Sequence, residues 1–225
     1  AVDRKEVSLT VGSFSTLRGT LDFTGPLNES KTLLYRVNGA YQEAKSFRDL
    51  VNNKSFLISP SFSYIPNEKT AINTELILSD MTGVLDRGQP IFGAVAGKTD
   101  LNKTPISLNL GASGDFFKSK EMILMTNFAH KFTSKIGFNA SYMKQTWTEN
   151  LQEHRTTNGF AVDMNNQPVT SLAMMQFVQR QQYWDIDNLT AYFNFDFKTG
   201  KLNHKLLTGY DLSSWNKNIG GGQNA

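Results

Sequence analysis

The chain has 225 residues, 39% of them hydrophobic and 19% charged, with 23 Lys and Arg against 20 Asp and Glu, 17 Gly, 6 Pro and no Cys. Without cysteine, disulfide-stapled folds and Cys-based zinc sites are excluded. The net charge of +3 comes from scattered residues, so there is no basic block of the kind nucleic acid requires, and no such partner is expected. The longest apolar run, about seven residues around Ile91 to Gly97, is far short of the roughly 18 that a membrane-spanning helix needs. The opening Ala-Val-Asp-Arg-Lys has neither the charged nor the apolar region of a signal peptide, and is expected to be mature or internal sequence.

Taken in chain order, the dominant pattern is alternation with period two, the mark of strands with two unlike faces. A weak run at Val7 to Ser13 precedes Leu17 to Phe23. Leu33 to Tyr41 is the clearest, with Leu33, Tyr35, Val37, Gly39 and Tyr41 on one face and Arg36 and Asn38 on the other. Further runs follow at Phe56 to Tyr64, Thr70 to Leu78, Met122 to Phe132, Ile136 to Tyr142, Leu189 to Phe197 and Leu202 to Leu212. These make nine expected strands, most near the length a tilted strand needs to cross a bilayer. Short polar connections (Gly25 to Lys31, Pro66 to Lys69, Thr133 to Lys135, Thr199 to Lys201) alternate with long polar segments expected to be loops (Gln42 to Lys54, Ser79 to Lys118, Thr146 to Tyr183, and from Ser214 onward). In an up-and-down meander this puts tight turns at one end and large loops at the other, as in outer-membrane barrels.

The two faces differ in charge. One face of the last eight runs collects about 40 positions without a single Asp, Glu, Lys or Arg, where 19% charge predicts about eight; choosing the face strand by strand enlarges this deficit. The opposite face carries Arg18, Asp22, Arg36, Glu75, Lys131, Asp196, Lys205 and Asp211. A charge facing lipid near the midplane costs roughly 2 to 4 kcal/mol, whereas a wet lumen tolerates it. Rings gather at the ends of the uncharged face, with Phe23, Tyr35, Tyr64, Phe132 and Phe197 at the short-turn end and Tyr41, Tyr142 and Tyr210 at the other, as interfacial girdles do. Outer-membrane lipid is therefore the expected surroundings.

Several segments in order carry a likeness: VGSFSTLRGTLDFTGPL (Val11 to Leu27), LISPSFSYIPNEKTAINTELILSD (Leu57 to Asp80), DRGQP (Asp86 to Pro90), LNLGASGDFFKSK (Leu108 to Lys120) and KLNHKLLTGYDLSSW (Lys201 to Trp215). Through them the chain resembles the first part of the barrel of TonB-dependent siderophore receptors, just after the plug domain. The resemblance implies an all-β, antiparallel transmembrane barrel of 22 strands, filled by a plug, which takes up a ferric siderophore with energy delivered by the TonB complex. Residues 1–225 are expected to be a portion of that barrel, about nine strands, without the plug and the later strands. An odd number of strands does not close a bacterial single-chain barrel, and open edges would leave backbone groups unsatisfied in hydrocarbon.

No catalytic arrangement is found, so the chain is not expected to be an enzyme, and neither a cofactor nor a metal site is expected. His130, His154 and His204 are isolated in sequence, and no nucleophile elbow or phosphate-binding glycine loop is present. The candidate ligand-binding residues are Trp147, Trp184 and Trp215, every tryptophan in the chain. Extending each strand's parity places all three on the lumen side at the long-loop end, where indoles stack on an aromatic or macrocyclic chelate; a bulge would turn them outward instead. Arg87 in DRGQP offers a pair to an acidic ligand or to a carboxylate such as Asp86 or Asp100, and Arg36 with Arg18 offers an anion-attracting lumen or a plug-docking charge. A TonB-dependent importer of another small nutrient, such as an oligosaccharide or cobalamin, and a non-transport adhesin are the alternative readings.

Overall fold

The computed structural model describes residues 2–88, 105–218 and 223–224. Gln89, Pro90, Asp100, the apolar run Ile91 to Gly97 and the glycines 220–222 lie outside the described residues. The strands are β1 (Arg4–Gly12), β2 (Thr16–Pro26), β3 (Leu33–Lys45), β4 (Asn52–Asn67), β5 (Thr70–Gly83), β6 (Phe116–Lys131), β7 (Ile136–Val162), β8 (Pro168–Thr199), β9 (Leu202–Lys217) and the two-residue β10 (Gln223–Asn224). All pair antiparallel with their sequence neighbours from β1 to β9, and β10 pairs with β8 beyond the point where β9 stops. All nine expected strands are present, each longer than its predicted run, although β1 and β6 stop one residue short of the predicted ends Ser13 and Phe132, and β10 is an addition inside the segment read as loop. Among the described residues no ladder joins β1 to β9, so the sheet is open.

Local chemistry fixes the turns at the lower end. Asn28 Oδ1 accepts from the backbone N–H of Thr32 (3.0 Å) and Leu33 (3.1 Å), Asn67 Oδ1 from Lys69 N–H (2.9 Å), and Thr133 Oγ1 from Lys135 and Ile136 N–H (both 3.1 Å). Each side chain replaces a backbone acceptor, the reason such residues initiate turns. The β8–β9 turn instead needs Gly200, whose φ of 61° lies in the left-handed region.

A single layer has little interior. The accessible surface is 15210 Å², whereas a compact monomer of this mass would expose about 10,300 Å². Only Leu151 and Val178 are fully enclosed among the described residues, while Val7, Leu9, Val11, Phe62, Phe193, Leu206 and Leu212 stand exposed. This is the inverse of a soluble core, and the register explains it. Ladder rows such as Gly39–Ile58, Leu78–Met122, Phe128–Ala140–Ala191–Tyr210 and Leu21–Gly39 keep the uncharged residues of adjacent strands on one common face. Toward its lower end the rings cluster, with Phe138 4.8 Å from Phe193, His130 4.7 Å from Phe132 and, as a separate pair, Phe197 4.9 Å from His204. His130 Nδ1 is satisfied there by Thr70 Oγ1 at 2.9 Å.

The uncharged band does not run along the ladder rows. Its upper edge is Tyr41 on β3 and Leu212 on β9; the row of Tyr41 passes Phe56, Asp80, Lys120, Thr148 and Tyr183 to reach Asn218, six residues beyond Leu212 (218 − 212). Six residues span about 20 Å along a strand and six strand spacings about 29 Å, so the strands tilt by about 35° from the band's normal. Outer-membrane barrels tilt by about 35 to 45°.

The segment Thr146 to Tyr183, expected to be a loop, is instead the upper half of β7 and β8. The two strands stay in register from Ile136–Phe195 through Trp147–Trp184 to Thr156–Met175, then pass through irregularities to close at Val162–Pro168. Asp163 Oδ1 shuts the hairpin by accepting from Asn165 (2.8 Å) and Gln167 (2.9 Å) N–H.

Candidate functional site

The ladder that pairs the uncharged face also assembles the other one. Trp147 and Trp184 are direct partners across β7 and β8, their rings 4.7 Å apart at 41°. Trp215 on β9 packs edge-on against Trp184 at 6.2 Å and 80°. No bulge interrupts β7–β8 or β8–β9 between the uncharged band and these residues, so their parity is that of the polar face. Trp147 and Trp184 stand five residues above the band edge at Tyr142 and Leu189, and Trp215 three above Leu212. The structure therefore brings together the three tryptophans that lie 68 residues apart in sequence (215 − 147) into one shelf at the upper end of the wet face.

The shelf is open on one side and polar at its margins. Trp215 is 67% exposed, Lys217 Nζ sits 5.5 Å over the Trp184 ring, and the Trp184 indole N–H is buried without a partner among the described residues. Below it Gln145 Nε2 donates to Glu121 at 2.7 Å; above it Arg180 pairs with the buried Glu149. The exposed Trp215 face beside a cation suits a flat, partly anionic molecule that stacks.

Arg36 and Arg87 are placed differently. Arg36 donates twice to Asp22 (both 2.9 Å) on the wet face of β2 and β3, and Arg18 donates to Gln42 at 2.9 Å. Both are far from the indoles. Arg87 donates to Glu153 through Nε (2.7 Å) and Nη2 (2.8 Å), a bidentate pair to a strand 66 residues on. Asp86, the nearer carboxylate named from the sequence, pairs instead with Arg48 at 3.0 Å. Arg87's local geometry is a turn, with Gly88 at φ 74° and its N–H bonded to Asp86 Oδ1 at 2.8 Å.

Around Arg87 lies a clamp that sequence reasoning did not find. Because β6 begins at Phe116, opposite Gln152, the edge of β7 above that level has lost its ladder partner. The chain before β6 covers it. Asp115, only 3% exposed, accepts from His154 N–H (2.9 Å), the His154 ring Nδ1 (2.7 Å) and Ala112 N–H (2.8 Å), and Gln152 Nε2 donates to Gly114 O at 3.1 Å. Glu153 takes Arg87 and also Arg155 at 3.1 Å. The β3–β4 loop joins through Arg48 Nη1 to Leu108 O (3.2 Å) and Asp49 N–H to Ser107 O (2.8 Å). Burial pushes the Asp115 carboxyl up, but the hydrogen bonds from Ala112 and His154 outweigh it and leave the group below the ordinary carboxylate range. The Glu153 carboxylate raises the Arg87 guanidinium above its usual value. Among the described residues no group of three or more His, Asp or Glu is placed to hold a metal ion.

No family model matches the chain. It is 27% identical over 217 residues to the metal-pseudopaline receptor of Pseudomonas aeruginosa strain UCBPP-PA14, covering 92% of this chain and 28% of the relative. To the ferrichrome outer membrane transporter and phage receptor of Escherichia coli K12 it is 23% identical over 233 residues, covering 96% of this chain and 30% of the relative. Among solved structures, the ferripyoverdine receptor of the Pseudomonas aeruginosa outer membrane superposes with a TM-score of 0.76 at 20% identity, over 96% of this chain and 28% of that one. The ferric-catecholate import receptor Fiu of Escherichia coli K12 gives 0.77 at 18% identity, over 96% and 32%. These likenesses give the fold: an open antiparallel sheet that superposes on part of the barrels of those proteins. The chain spans a little over a quarter of the length of the curated relatives it matches.

Proposed function

We propose that these residues are a section of the barrel of a TonB-dependent outer-membrane receptor that takes up a ferric siderophore, the chain's likeness to the siderophore-receptor barrels being its premise. In this reading residues 1–225 form one portion of a larger plugged barrel, with β1 and β9 pairing to strands outside it. Its uncharged face meets lipid and its polar face lines the passage. TonB acts through the plug, and this wall performs no bond chemistry.

The observation that carries the ligand part of the proposal is the indole shelf. Three rings in a row, Trp147 against Trp184 and Trp184 against Trp215, stand with Lys217 on the wet face above the band edge. A chelate arriving from outside meets this level first. The ring faces bind its flat portion by stacking, and the lysine favours the negative charge that ferric chelates carry. Arg36, held by Asp22, and Arg87, held by Glu153, serve the wall and the clamp in this reading.

The test uses the full receptor with Trp147, Trp184 and Trp215 replaced by Ala. Ferric-siderophore binding to cells and uptake of labelled iron are measured over a panel of chelates. Affinity for the transported chelate should fall about tenfold or more, since each lost stacking contact removes roughly 1 kcal/mol. Unchanged affinity with unchanged uptake removes the shelf from the ligand site, and uptake of no ferric chelate in the panel removes the siderophore.

A further inference from the structure

The wet face of the wall is charged in one sector and charge-free in another. Strands β2 to β5 carry Arg18, Asp22, Arg36 and Glu75 there. Between Glu121 and Lys131 on β6, Trp147 and Gly137 on β7, and Trp184 and Asn194 on β8, no wet-face residue is an acid or a base. This lane starts at the indole shelf and descends ten residues along β7 (147 − 137), about 33 Å of strand.

It ends in a recess of about 360 Å³ just above the β6–β7 turn. Small residues make the floor: Ala129 on β6 and the buried Gly137 on β7 leave a gap that Lys131, Asn139 and Asn194 surround. Asn194 leans across the glycine, where an added Cβ would come within 2.6 Å of its Oδ1. Asn139 Nδ2 donates to the same oxygen at 3.3 Å, which leaves the Asn194 Nδ2 group uncommitted among the described residues. The Lys131 ammonium has no carboxylate partner among them either. Above the recess a hollow of about 170 Å³, lined by Asn127, Ser141 and Tyr192, continues it up the lane. At its other margin Asp196 divides it from a hollow of about 310 Å³ lined by Lys135, Lys198 and Lys205. One aspartate thus stands among four lysines at this end.

We propose that the recess is a second station for the ferric chelate, at the exit end of the lane, where Lys131 and the Asn194 amide hold an oxygen of an anionic iron(III) complex. The proposal rests on the siderophore reading of the wall. The recess has the size of a small-ligand pocket, and the surplus of lysines draws negative charge to it. A lane without fixed charges neither traps nor repels an anion on its way down from the shelf. A protein segment packed permanently in the recess would close the lower end of that lane.

The experiment uses cells carrying the full receptor. Labelled iron is presented as its citrate, triscatecholate and desferrioxamine B complexes, the first two anionic and the third cationic. Binding is read in energy-depleted cells and uptake in energised ones. For the anionic complex that wild type imports, Lys131→Gln should slow saturated uptake about fivefold with the binding affinity unchanged, and Lys131→Arg should restore the rate. Gly137→Ala, which displaces Asn194, should slow uptake as well, and Lys31→Gln at the β2–β3 turn should not. Entry of a bulky glycopeptide antibiotic, which passes only an unplugged barrel, is followed in the same strains. Unchanged uptake in Lys131→Gln or in Gly137→Ala, or import confined to the cationic complex, overturns the station and leaves the siderophore reading standing. Slowed uptake accompanied by antibiotic entry assigns the recess to the plug and overturns the station too. A wild type that imports none of the three complexes removes the siderophore reading and the station together.

Discussion

The lower wall and the tall β7–β8 ribbon use the same ladder in two different solvents. Below the band edge each strand has one uncharged face, and the antiparallel register alone aligns those faces into a surface that only lipid covers. Above it both faces of the ribbon meet water, and hydrophobicity no longer distinguishes them. What holds the upper part is specific: a bidentate Arg87–Glu153 pair, the triple acceptance at Asp115, and the enclosed Leu151 and Val178. One region is stabilised by a pattern, the other by particular partners. Substitutions should therefore be judged by face below and by contact above.

The contrast is broken most directly at mid-band. Phe128→Arg puts a charge on the lipid side and should cost roughly 2 to 4 kcal/mol, while Asn127→Arg, one residue away on the wet face, should be tolerated. Urea unfolding of the full receptor in liposomes measures both, and equal costs would erase the distinction between the faces. In the ribbon, Glu153→Ala removes the acceptor of two arginines and should open the clamp by about 1 to 3 kcal/mol. Hydrogen exchange reads this as faster amides at Val84 to Gly88 and Leu108 to Phe116, with the lower strands unchanged.

Gly200→Ala should cost about 1 kcal/mol, because its φ of 61° disfavours a Cβ. That loss belongs to the β8–β9 turn and should leave the clamp's exchange rates untouched. The smallest effect is with pH. The Asp115 carboxyl is held below its unfolded value of about 3.9. Its contribution is thus fully present above that value and is lost only as pH falls through the lower, folded one. Amide protection factors at Ala112 and His154 should stay flat from about pH 8 to pH 5 and drop only in stronger acid. A loss already at pH 6 would assign the clamp's stability to a group other than Asp115.

The same contrast explains what the sequence disclosed. Period-two alternation exists because one solvent is lipid, so the strands could be read as far as Tyr142 and from Leu189 onward. Between them the alternation fades while the ladder continues, and a wet ribbon was taken for a loop. The tryptophan shelf was legible because parity, extended without a bulge, places Trp147, Trp184 and Trp215 on one face. The clamp was not. Arg87 and Glu153 are separated by 66 residues, and Asp115 finds His154 only because β6 starts at Phe116 and exposes the edge of β7. A pattern of alternation carries no record of where a neighbouring strand stops.

The 35° lean of the strands has a mechanical corollary. Pleat rows on the wet face, such as Ser63, Asn73, Asn127, Ser141, Thr190 and Asp211, climb relative to the bilayer like the thread of a nut. A body seated in those furrows crosses ridge after ridge if drawn straight out, and follows a furrow only if it turns while it rises.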